Sequence, residues 1–66
     1  MEVKVGDVKF GVVVGQCEYG LMISIEDEVV YARSTYEIEL YEEVVATFKS
    51  FSVGCYWEVS PANIIV

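Results

Sequence analysis

The sequence predicts an all-β fold, a small barrel of five to six short antiparallel strands. Three observations carry that expectation. Val, Ile and Thr number 13, 5 and 2, against 2 Leu and 3 Ala. Branched side chains are stiff at χ1 and suit a pleated surface better than a helix. Apolar and polar residues alternate with period two over several runs, the signature of half-buried strands. Finally, 66 residues make one domain, 1–66, close to the lower limit for folding alone. Closing a sheet on itself protects its edges without needing a large core.

The elements follow in order. Val8, Phe10, Val12 and Val14 alternate with Lys9, Gly11 and Val13. A loop bracketed by Gly15 and Gly20 leads to Leu21, Ile23 and Ile25, which alternate with Met22, Ser24 and Glu26. Glu26, Asp27 and Glu28 make a short acidic turn into Val29, Val30, Tyr31 and Ala32. Together these runs form a three-stranded meander.

Residues 34–48 admit two readings. As a strand over 36–41, Tyr36, Ile38 and Leu40 face inward and Glu37, Glu39 and Tyr41 face out. Glu42-Glu43 then turns the chain into a strand over 44–48. As a helix near residues 35–48, in an α+β fold, Ser34 caps with Glu37, and Ile38, Tyr41, Val45 and Phe48 form an apolar stripe. Val44, Val45 and Thr47 and the clean alternation favour the strand.

Strict alternation over 51–59 predicts a nine-residue strand, with Phe51, Val53, Cys55, Trp57 and Val59 inward. Pro61 in Ser60-Pro61-Ala62-Asn63 breaks the ladder, since it has no N–H to donate. Ile64-Ile65-Val66 then resumes an apolar run, expected to pair with the N-terminal strand and close the barrel. This ending, a strand, one Ser-Pro-Ala-Asn turn and a brief apolar strand, resembles the closing segment of SH3-like barrels. The resemblance covers residues 60–66 and the overall length, and it implies the SH3-like architecture. The tyrosine-rich opening motif and paired tryptophans of peptide-binding SH3 domains are absent, and Trp57 stands alone. No proline-peptide site is carried over.

Charge speaks most directly to function. Eleven acids face four bases, Lys4, Lys9, Arg33 and Lys49, for a net charge of −7, and there is no histidine. That balance argues against gripping a phosphate backbone or an anionic membrane, and leaves a basic protein surface as the expected partner. Without histidine the commonest general base near neutral pH is missing. Glu18 beside Cys17 disfavours a thiolate, and Cys55 reads as a small core hydrophobe. No glycine motif for phosphate occurs. Glu26-Asp27-Glu28 lacks the spaced ligands and central glycine of a calcium loop. The chain is therefore expected to be no enzyme and to need no cofactor or metal.

The acids cluster in two places. Glu37, Glu39 and Glu43, with Tyr41 in line, form the first candidate contact strip, and Glu26, Asp27 and Glu28 the second. Exposed tyrosine among carboxylates suits a protein interface, where the ring adds area at low entropy cost. A strand over 36–41 would also space carboxylates by about 6.6–6.8 Å, twice the ~3.4 Å rise per phosphate of one DNA strand. The favoured function is a non-enzymatic acidic module engaging a basic surface of a partner protein. One alternative is a nucleic-acid mimic of the phage or mobile-element type, inhibiting a DNA- or RNA-handling enzyme. Another is a structural subunit of a homo-oligomer, since the apolar fraction of 55% exceeds the usual 45–50% or so.

The expected location is the cytoplasm of a cell or infected host. No apolar run reaches the ~18 residues of a transmembrane helix, and residues 1–4 do not begin a signal peptide. Two cysteines are too few for a disulfide framework and are expected to be free thiols in a reducing compartment.

Overall fold

Five strands close on one another in the order β1-β2-β3-β5-β4: β1 Val8–Cys17, β2 Gly20–Ile25, β3 Glu28–Arg33, β4 Glu43–Phe51 and β5 Gly54–Pro61. The computed structural model describes residues 1–18 and 20–63. The all-β expectation holds, and the closed barrel is consistent with a small SH3-like one. Four of the five pairings are antiparallel; β3 and β5 run parallel, joined only at Ala32–Trp57 and Arg33–Glu58. The predicted role of 64–66 in closure lies outside the described residues. Closure is made by β1 on β4 and β3 on β5.

β1 serves two neighbours. Residues 8–12 pair with β4, and residues 12–17 pair with β2 past a register shift between Val13 and Gly15. An extra residue at such a bulge bends and twists the strand, which lets one strand turn a corner of the barrel. Alternation alone left the phase of β1 open. Gly11 and Val13 face inward, and Val8, Phe10 and Val14 face out. Gly11 explains this. A Cβ there would fall 2.7 Å from Ile23 Cγ2 and 2.9 Å from the Ser24 carbonyl, so β2 uses the space a side chain would need.

The core is Val13, Ile23, Ile25, Ala32, Ile38, Val44, Ala46, Trp57 and Val59, with Val3, Leu21, Val30 and Phe48 packed against it. Six of these, Val13, Ile23, Ile25, Val44, Ala46 and Val59, are fully enclosed; each of the five valines and isoleucines contributes roughly 1.5–3 kcal/mol by leaving water. The Phe48 and Trp57 rings meet at 4.9 Å, tilted by 60°, within the favoured range for aromatic pairs.

Two expectations are corrected. Residues 34–42 form neither a helix nor a strand but an irregular connection into β4, pinned by Ile38, which is buried among the strands. The nine-residue strand over 51–59 is interrupted: β4 runs on to Phe51, the chain turns at Ser52 and Val53, and β5 starts at Gly54. Trp57 and Val59 point inward as expected, whereas Phe51, Val53 and Cys55 are exposed. Because paired residues share a face, the two-residue turn reverses the phase: even positions Val44 and Ala46 face inward in β4 and odd positions Trp57 and Val59 in β5, so the odd-numbered apolar residues at 51 and 53 do not continue the inward row.

Candidate acidic interface

The connection 34–42 spans one end of the barrel, and its shape is set residue by residue. At its start the Ser34 hydroxyl accepts a hydrogen bond from the Tyr36 N–H at 3.0 Å, a local turn that Ser commonly makes. Ile38 then enters the core, which leaves Glu37 and Glu39 on either side of it, both exposed. Next comes a turn closed from both ends. The Glu42 N–H donates to the Glu39 carbonyl at 3.2 Å, and the Glu39 N–H donates to Glu42 Oε1 at 3.3 Å.

Tyr41 is the third residue of that turn and has φ +67°, a position that normally asks for glycine or asparagine. Its N–H donates to the Val13 carbonyl at 2.7 Å, and the Val13 N–H donates to the Glu42 carbonyl at 3.1 Å. Both bonds tie the connection to β1. The ring itself projects, 72% exposed. Glu43 opens β4 opposite Val12, also exposed. Between this connection and the β1–β2 hairpin lies an open groove of about 740 Å³, with Gln16 and Leu21 on one wall and Tyr36, Glu37 and Leu40 on the other.

Of the two predicted acidic patches, only this one keeps its charge. Among the described residues, no ion pair involves Glu37, Glu39, Glu42 or Glu43. The patch at 26–28 is largely neutralised within the chain. Glu26 binds Lys9 Nζ, and Glu28 accepts from the Met1 amino group at 2.9 Å, leaving Asp27 alone. Glu26 and Asp27 form the tip of the β2–β3 hairpin with φ of +50° and +66°, the left-handed pair a tight hairpin turn requires. The two patches lie on different connections, 26–28 at the β2–β3 turn and 37–43 on the run into β4. The structure therefore brings Glu37, Glu39, Tyr41 and Glu43 onto one connection and leaves Glu26, Asp27 and Glu28 elsewhere.

The strand-like spacing of the carboxylates is not present, because 37–42 is not a strand. Ile38 is inward and Glu42 lies in the turn as expected, whereas Tyr36 and Leu40, expected inward, are exposed; the predicted strip left out three contributors. Glu42 fixes the turn, Ile38 anchors it, and Leu40, 49% exposed, adds apolar surface beside Tyr41. Leu40 and Tyr41 sit between acid pairs, and that was the available signal.

Elsewhere, Lys49 Nζ pairs with Glu58 across β4 and β5 at 2.6 Å. Lys9 and Lys49 are both held above their ordinary pKa, chiefly by hydrogen bonds to Glu26 and Glu58. Both cysteines are free thiols, Cys17 half-buried and Cys55 exposed, which corrects the placing of Cys55 in the core. It lies on the inward phase of β5, on the stretch that β3 faces without pairing. Among the described residues no group of three or more acids and cysteines is placed to hold a metal, and no helix is long and apolar enough to cross a membrane. Comparison with family models, curated proteins and solved structures found no match.

Proposed function

We propose that this protein is a non-enzymatic binding module whose 37–43 connection engages a basic surface on a partner protein. One observation carries the reading: four glutamates that have no counter-ion among the described residues surround an exposed Tyr41 whose backbone is fixed by β1. Carboxylates on a fixed connection steer encounter with Arg and Lys and set orientation. The Tyr41 and Leu40 side chains supply area to bury. The groove beside them gives a partner's side chains somewhere to enter. The nucleic-acid-mimic alternative still draws on the net charge of −7, the four bases and the small size, without the strand spacing, which 37–42 does not have. Competition by DNA against the partner tests it. The direct test is partner affinity measured across salt concentrations for the natural protein and for a Glu37→Lys, Glu39→Lys variant.

A second reading has its own observation. Phe10 is 75% exposed, beside Val8 and across from Val45 on the outer face of β1 and β4. Monomeric proteins seldom leave large apolar side chains grouped in this way. A homo-oligomer burying this face is the alternative it favours. Light scattering at high concentration decides it, with Phe10→Ser as control: a monomer throughout removes the reading.

A further inference from the structure

We infer that the seam between β3 and β5 is a strand-addition site for an extended peptide segment of another protein, one that places a carboxylate at Arg33. The seam arises from how the barrel closes. β3 has six residues, yet it meets β5 only through Ala32 and Arg33. Toward the other end, residues 28–31 of β3 and 54–56 of β5 have no ladder partner across the seam, and no other backbone hydrogen bond among the described residues fills the place. Two strand edges thus face one another with unused N–H and C=O groups, the template that strand addition uses.

The cleft between these edges measures about 330 Å³ and is lined by Val30, Tyr31, Phe48, Cys55, Tyr56 and Trp57 among others. A strand entering it presents alternate side chains to two walls. The inner phase meets Val30 and Trp57, and the outer phase meets Tyr31, 63% exposed, and Tyr56. A compact ligand would satisfy neither edge, which is why the occupant is an extended chain.

Charge fixes the rest of the occupant's chemistry. Arg33 lies at the closed end of the cleft, its Cζ 5.8 Å from the Phe51 ring centre and 5.4 Å from that of Tyr56. The two rings pack edge to face at 5.4 Å, so the guanidinium rests on an aromatic platform that holds its orientation. Among the described residues Arg33 makes no ion pair. Glu58, its register neighbour, is already bound to Lys49. In a chain of net charge −7, a cation held on rings without a carboxylate fits an acidic group brought from outside.

The test uses an N-acetylated, C-amidated peptide, Val-Thr-Val-Tyr-Val-Asp, with two relatives: one ending in Lys, and one N-methylated at alternate residues. Cys55 reports from within the cleft. In a Cys17→Ser variant the rate at which a disulfide reagent modifies Cys55 is followed, and Trp57 fluorescence is followed in the natural protein. The Asp peptide is expected to slow modification and shift the emission. The Lys peptide and an Arg33→Gln variant should weaken the effect about fivefold to tenfold, with Arg33→Lys keeping part of it. The N-methylated peptide should give no protection. Absence of protection and of any emission change at about 1 mM Asp peptide, or equal protection by the N-methylated form, overturns the inference. Protection that grows with protein concentration alone means a second copy fills the seam, and overturns the stated occupant.

Discussion

The Tyr41 N–H donates to the Val13 carbonyl at 2.7 Å while the Tyr41 backbone sits at φ +67°. This bond holds a bulky residue where glycine is at ease, and it links the most enclosed part of β1 to the most acidic connection of the chain. A left-handed non-glycine residue costs roughly 1–2 kcal/mol. It persists only where the surroundings impose it, and such positions cluster at functional sites.

Tyr41→Gly separates backbone from side chain. Glycine relieves the strain and keeps the bond to Val13, so the variant should be at least as stable as the natural protein, by up to about 1 kcal/mol. For a domain this small that is a rise of about 4–8 °C in Tm. Partner affinity should fall because the ring is gone. Calorimetry and a binding titration on the same sample check both halves.

Ile38→Ala addresses the anchor. Ile38 is buried at 5% exposure, though its neighbours on both sides are in water. Truncation should cost about 2–4 kcal/mol and release Glu37 and Glu39 from their shared placement. Urea unfolding measures the loss. Faster amide exchange at 37–42, with the rest of the barrel unchanged, would identify its local part.

Gly11→Ala tests the packing that sets the phase of β1. The added methyl meets Ile23 Cγ2 at 2.7 Å and backbone at 2.9 Å, so the strands must separate. The expected loss is about 1–3 kcal/mol. Changing Ile23 to Ala in the same chain removes the Cγ2 that the methyl meets, so the double variant should lose less than the two single variants summed, and thermal unfolding of all three reads the coupling.

Lys9 and Lys49 each add a small share to stability on the alkaline side. Their carboxylate partners raise both pKa values above the ordinary 10.5. A raised pKa means that the ammonium binds its proton more tightly folded than unfolded. The contribution is therefore complete below 10.5 and is lost as pH climbs through the folded values. Tm measured up the alkaline range should fall in that window. A Lys9→Met, Lys49→Met variant should show a shallower fall.

Much of the fold was legible because it rests on local pattern. The alternation at Leu21, Ile23 and Ile25 and at Trp57 and Val59 named core residues correctly, since each inward phase carried the larger apolar groups. β1 was less readable. Its larger residues, Val8 and Phe10, lie outside, because the Ile23 side chain fills the space over Gly11 on the inner face. That is a relationship between strands, which period two does not encode. The same limit explains the turn hidden at 52–53 and the parallel pairing of β3 with β5.

The acidic connection was located by charge and misjudged in shape. Its alternation at 36–41 comes from one buried residue, Ile38, among exposed ones, and mimics a strand without any ladder. The separation of the two acidic patches was not readable either. It depends on Lys9 and the Met1 amino group reaching Glu26 and Glu28 across the fold.

The most direct measurement is the salt dependence of partner binding for the natural protein beside the Glu37→Lys, Glu39→Lys variant, with folding verified by circular dichroism. The expected result is a steep fall in affinity for the natural protein as salt rises past the ~10 Å screening length reached near 0.1 M. The folded variant should bind at least tenfold more weakly at low salt, a loss of about 1.4 kcal/mol or more. Equal affinity of the two folded proteins, with no dependence on salt, would contradict a role for the 37–43 connection.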